Sequence, residues 1–212
     1  MMTRSVRATA DERARQLPGD ELISNAVGSI THGITIRRPR LAVWPWLAQM
    51  GAGSRAGWYS YDCIDNGRRP SADRIVPELQ DITVGSLFPA RPGEIEGFRV
   101  LQLDPGRHLV LGFVRVPELV PIVTWAFVLE PIDAVTTRLI TRARGSADYP
   151  MFGLPPAIGL PFVRVVHFVM ERAQLIGIAR RAESLRDLSG AVAERAGSRP
   201  GQETRERHAC PS

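Results

Sequence analysis

The residues best suited to chemistry in this chain are aromatic. The densest group is Trp44, Trp46, Trp58, Tyr59 and Tyr61. Such rings offer large apolar faces with a polar N–H or O–H at one edge, and so can fill a core or grip a flat ligand. Trp46 belongs to a helical apolar stripe and reads mainly as core, with a share in a ligand wall. Trp58 and Tyr61 stand at i, i+3 beside the glycines Gly51, Gly53 and Gly57, where they read equally as core or as the frame of a cavity mouth. Further on, Trp125, Phe127 and Leu129 alternate along one strand, so all three point to the same side of a sheet. They are the best single set of wall residues.

Charged candidates are fewer. Arg138, Arg142 and Arg144 share a strand face with Ile140, while Leu139, Thr141 and Ala143 share the other. The plain reading is that the arginines face solvent. The sharper reading sets one of them, Arg138 first, inside as an anchor for an anionic head group. Burying about 300 Å² of apolar ligand is worth roughly 7 kcal/mol. Association costs about 4–15 kcal/mol, so one charged hydrogen bond of about 1.5–3 kcal/mol could decide the ligand class. His32, His108, His167 and His208 are scattered. His167 and Glu171 form an i, i+4 pair on what reads as the polar side of the last helix, a surface ion pair before it is a general base.

The common catalytic signatures are absent: no Gly-x-Ser-x-Gly elbow, no His-Glu-x-x-His pair and no P-loop. Gly51-Ala52-Gly53 follows a helix, whereas a dinucleotide loop follows a strand and opens a helix. Cys63 and Cys210 make neither a disulfide framework nor a zinc site. The sequence thus predicts no cofactor and no metal, and singles out no catalytic residue.

The elements that position these residues follow from periodicity. Ile30 to Arg37 alternates as a first strand. Arg40 to Met50 is helical, with Val43, Trp46, Leu47 and Met50 on one stripe, and Trp58 to Asn66 reads as a second short helix. Strands are predicted at Ile82–Phe88, Phe98–Leu103, His108–Val116, Ile122–Glu130 and Thr136–Arg144, joined by short Pro- and Gly-containing turns as an antiparallel meander. The longest helix runs from Phe162 to about Leu185, with Phe162, Val165, Val166, Val169, Ala173 and Ile176 as its core stripe; Val169 and Met170 are its expected cavity residues. Residues 1–16 read as a flexible N-terminus, 17–187 as one domain and 188–212 as a disordered tail. The fold class is α+β: a curved antiparallel sheet wrapped around a long C-terminal helix, with two short helices after the first strand.

With 212 residues, 44% of them hydrophobic and 23% charged, the chain is long enough for one core. Its net charge of +5 comes with arginine as the basic residue throughout and no lysine. The arginines occur singly or in pairs such as Arg180-Arg181, with no concentrated patch, which argues against nucleic acid. The apolar stretch from Ile158 to Ile178 is broken by Arg164, His167, Glu171 and Arg172, which argues against stable membrane insertion. No secretory leader is legible at the N-terminus. A cytoplasmic protein is expected, of unspecified oligomeric state.

Several blocks resemble the SRPBCC superfamily, which includes START-like lipid carriers and polyketide cyclases, in a bacterial branch without agreed active-site residues. They are Val43-Trp44-Pro45-Trp46-Leu47-Ala48-Gln49-Met50-Gly51, Gly57-Trp58-Tyr59-Ser60-Tyr61-Asp62, Arg74-Ile75-Val76-Pro77-Glu78, Trp125-Ala126-Phe127-Val128-Leu129-Glu130-Pro131, Thr137-Arg138-Leu139 and Phe168-Val169-Met170-Glu171-Arg172. The resemblance covers roughly residues 17–185 and implies a helix-grip fold with a hydrophobic cavity and no bound metal. The expected function is binding or carriage of a lipid-like or polycyclic small molecule. The alternatives are an aromatase/cyclase-like enzyme and an interaction protein without a ligand.

Overall fold

The structure is a computed structural model, and it describes residues 4–93, 96–115, 120–147 and 156–197. Six strands form one antiparallel sheet in the order β1-β6-β5-β4-β3-β2. They are β1 (Ala26–Ile36), β2 (Leu87–Pro89), β3 (Gly97–Asp104), β4 (His108–Arg115), β5 (Val120–Pro131) and β6 (Thr137–Ser146). From β2 to β6 the sheet is a meander of hairpins. The long connection is the one from β1, which pairs with the last strand: Ile34 faces Leu139 across that ladder.

Between β1 and β2 lie two short helices, α2 (Arg40–Ala48) and α3 (Asp62–Asp65), preceded near the N-terminus by α1 (Ala10–Ala14). The last helix, α4, spans Pro156–Gly197, beginning before Phe162 and ending beyond Leu185. The α2 stripe is as the spacing predicts, with Val43, Trp46, Leu47 and Met50 fully buried. The second helix is shorter than Trp58–Asn66. Gly57 bridges back to Gly51, and Tyr59 sits at φ 62, a left-handed conformation that cannot continue a helix. Helical geometry therefore starts only at Asp62.

Side-chain alternation divides the sheet into two faces. Phe127, Leu129, Leu139, Ile34 and Ile36 point inward and share a core cluster with Trp46 of α2 and Leu175, Ile178 and Ala182 of α4. The outer face carries Val128 and Ile140, which pack on Leu17. Residues 4–25 form an arm that starts beside α4, where Arg4 pairs with Glu183, passes the edge of β1 at the Arg7–His32 bridge and continues onto this outer face. Val6 and Ala8 are buried, the backbone N–H of Gly33 donates to Val6 O, and a capping box between Thr9 and Glu12 closes the start of α1.

That arm explains the three strand arginines: Arg138 and Arg142 face neither solvent nor the space under α4, and Arg144, which borders that space, is paired to the arm. Arg138 donates to both Glu12 carboxyl oxygens, at 2.7 and 3.0 Å. Arg142, almost fully buried, bonds Asp20 Oδ2 at 2.5 Å and the Glu12 carbonyl, and Arg144 lies 3.3 Å from Asp20 Oδ1. Charges removed from water need partners this close. The arm's carboxylates and carbonyls are those partners, and this is why a polar lead-in is held in place.

Candidate functional site

Helix α4 crosses the sheet with one inward stripe, His167, Met170, Glu171, Gln174, Leu175, Ile178 and Ala182, spaced at the helical period. In its C-terminal part that stripe is aliphatic and seals against the core. In its N-terminal part it is polar and stands off the sheet, leaving a cavity of about 310 Å³. Trp58, Phe98, Trp125 and Met170 supply much of its wall, and Ile30 and Val123 extend the apolar lining.

The aromatic wall is a packed unit. Trp58 stacks on Trp125 with centroids 5.6 Å apart. Phe98 meets the edge of Trp58 at 5.9 Å and leans on Trp125 at 5.6 Å. Trp58 is also fixed by its indole N–H, which donates to Pro89 O at 3.2 Å. Behind it, Tyr59 is clamped: its hydroxyl accepts from Gln49 at 2.9 Å, and the Arg181 guanidinium lies 4.7 Å above its ring. Burial raises the Tyr59 pKa well above its usual value. The strained loop therefore aims Trp58 inward.

The polar end of the lining is formed by Glu171, His167, Gln174 and Trp125, with His32 beside His167 and Thr141 beside Glu171. Glu171 is 2% exposed. His167 Nε2 lies 3.5 Å from Glu171 Oε2, and the His32 ring stacks on His167 with centroids 6.0 Å apart. Both Glu171 oxygens, Gln174 Oε1, Thr141 Oγ1 and Trp125 Nε1 are buried without a hydrogen-bond partner. Burial pushes the Glu171 carboxyl up to about 7, against weaker downward pulls from Thr141, His32 and Trp125. Burial pushes His167 down to about 4 and lowers His32 as well, where the neighbouring Glu171 opposes it and His167 adds to it. Desolvation disfavours every charged form here, so around neutrality the two imidazoles are uncharged and Glu171 is the group poised to titrate.

The residues expected to bind ligand are not all together. Trp58, Trp125 and Met170 border the cavity. Trp46, Phe127 and Leu129 are buried in the core cluster beside it. Tyr61 points outward, 41% exposed, because the turn at Tyr59 breaks the i, i+3 spacing that would have set it next to Trp58. Arg138 is on the far face with Glu12. Val169 is 44% and Val165 64% exposed, so the expected valine stripe of α4 faces out. The His167–Glu171 pair, expected on the surface, faces in.

The sequence reading missed Glu171, His167, Gln174 and Phe98 as cavity residues. A signal for the first three was available. Stepping back by four from Leu175 and Ile178 lands on Glu171 and Gln174, and by four again on His167 and Met170. The valines mask it, because Val165, Val166 and Val169 are as hydrophobic as a core stripe although they are exposed. Among the described residues no cluster of three or more His, Cys, Asp or Glu side chains could hold a metal ion, and no helix is long and apolar enough to cross a membrane.

The antiparallel sheet gripping a single long C-terminal helix is the helix-grip architecture, established by the strand order and the α4 packing. No family model matches the sequence, and no curated protein matches it. Solved structures similar to the chain include a protein from Mesorhizobium loti, at 13% identity and TM-score 0.47, covering 74% of this chain and 98% of that one. Another is a polyketide cyclase-like protein from Corynebacterium glutamicum, at 15% identity and TM-score 0.47, covering 76% and 94%. A third is the ZhuI aromatase/cyclase from a Streptomyces species, at 17% identity and TM-score 0.42, covering 74% and 93%.

Proposed function

We propose that this protein binds an apolar, largely planar small molecule in the cavity between the sheet and the N-terminal part of α4. The observation that carries the reading is the aromatic wall of Trp58, Phe98 and Trp125 around a space of about 310 Å³. That space suits a small polycyclic or short lipid-like body, and its lining offers ring faces and aliphatic carbon in preference to charge. Native mass spectrometry of the protein purified from its own host tests this reading. A retained apolar metabolite, lost from a variant whose cavity is filled by Val123→Trp, is the expected result. Protein that carries nothing and takes up no apolar compound from a lipid and aromatic panel would refute it.

A second reading is an enzyme of the aromatase/cyclase kind, and one observation favours it. A wall of carbon alone would argue against chemistry, yet Glu171 and His167 border this cavity with their pKa values driven apart. Such a pair can move a proton once a substrate is held in reach. Turnover of a poly-β-keto substrate that Glu171→Gln abolishes, with binding retained, would decide for the enzyme.

A further inference from the structure

The polar end of the cavity has more unsatisfied hydrogen-bonding capacity than a store for pure hydrocarbon would need. Burying an unpaired polar group costs about 1–3 kcal/mol, and five atoms here are unpaired together: both Glu171 carboxyl oxygens, Gln174 Oε1, Thr141 Oγ1 and Trp125 Nε1. The Thr141 hydroxyl and Trp125 indole N–H are weak donors toward the Glu171 carboxyl, enough to pull its pKa down, yet neither reaches it with the geometry of a full hydrogen bond. Trp125 also presents its ring to the apolar wall, so one side chain links the two ends of the site.

We propose that this end reads a carbonyl: Glu171 and the Trp125 indole N–H donate together to the oxygen of a planar, otherwise apolar ketone whose body lies against Trp58 and Phe98. This rests on the cavity-binding function above and names its ligand class. The acid proton is available because burial holds the Glu171 carboxyl up to about 7. A carboxylic acid kept neutral by an apolar site can act as a hydrogen-bond donor. The terminal torsion of a glutamate is soft, so the shielded hydroxyl can turn toward a ligand oxygen. The other titratable or charged groups facing this end do not supply the proton. His167 on α4 and His32 on β1 are pushed down by burial. Arg144 on β6 is engaged with Asp20, Asp65 accepts from Ser60, and Arg164 is exposed at the rim.

Recognition through the acid form has a signed consequence. A ketone that binds only protonated Glu171 loses affinity as pH rises through the carboxyl's pKa, whereas a hydrocarbon does not. The test is titration of fluorenone and of fluorene, the same skeleton without the carbonyl, into the full chain, followed by quenching of the tryptophan fluorescence. The expected preference for fluorenone is about fivefold or more at about pH 5.5, shrinking towards none at about pH 8.5. Glu171→Gln keeps an N–H donor and should hold the preference at both pH values. Glu171→Leu should leave only the smaller preference that the Trp125 indole N–H supports, and make it indifferent to pH. Equal affinity of the parent protein for the two compounds at the lower pH, or a preference indifferent to pH, would overturn the carbonyl reading while leaving the cavity function standing. Failure of both compounds to bind at any pH would remove the cavity function itself. Because the parent protein supplies the decisive comparison, the proposal stays testable if Glu171→Leu does not fold.

Discussion

A single carboxyl sets the character of the site, and its burial has a thermodynamic signature. Glu171 ionises in the folded protein near 7, against an ordinary value of 4.5. Its contribution to stability is fully present below 4.5 and is lost as pH rises through 7. The difference corresponds to about 3 kcal/mol. His167 acts with the opposite sign. Its folded value is near 4 against an ordinary 6.5, so its contribution is lost as pH falls from 6.5 toward 4. The two partly offset each other, and urea denaturation of the parent protein should show a shallow pH dependence across this window. Glu171→Gln removes one side of the balance. The variant should gain about 3 kcal/mol relative to the parent between about pH 4.5 and 7, and its own stability should fall on the acid side. Parallel stability curves for the two proteins would show that Glu171 is not held neutral by burial.

At the scale of elements, α4 is positioned by one close approach. Gly177 lies against the backbone carbonyl of Tyr59, where a Cβ would collide. Replacing a helical glycine by alanine ordinarily stabilises by about 1 kcal/mol. Here Gly177→Ala should destabilise by about 2 kcal/mol, because the obstructing atom is backbone in the loop that carries Trp58. Thermal unfolding of the variant checks the sign, and a raised melting temperature would mean the helix is not seated as described. The same helix shows where sequence reasoning stopped. Its existence, its place over the sheet and the α2 stripe of Val43, Trp46, Leu47 and Met50 all followed from periodicity. Its facing did not, because Val165, Val166 and Val169 are as apolar as any core stripe and yet point out. Polar residues at the inward positions 167, 171 and 174 disguised the true face. The docked arm was equally illegible. Residues 4–16 are polar by composition, and pairings across the sheet such as Glu12 with Arg138 and the Glu12 carbonyl with Arg142 show why they are held.

Taken as a whole, the molecule has two unlike sides to one sheet. The outer side is covered by the arm through arginine–carboxylate pairs. The inner side is sealed at one end by the aliphatic half of α4 and left open at the other, so the cavity exists because one helix cannot cover six strands with aliphatic side chains along its full length. The meander, the curved sheet and the gap beneath the last helix could be argued from element order alone. The cavity's polar end could not, since it depends on which face of α4 turns inward. The most direct test of the central claim is the ligand-dependent melting temperature of the parent protein beside Ala143→Phe, a substitution at a cavity-lining position opposite Trp125. Saturating fluorene or fluorenone should raise the melting temperature of the parent at low pH, since a ligand that binds only the folded state stabilises it, and should leave the filled variant unmoved. No shift in the parent, or an equal shift in both proteins, would contradict the account.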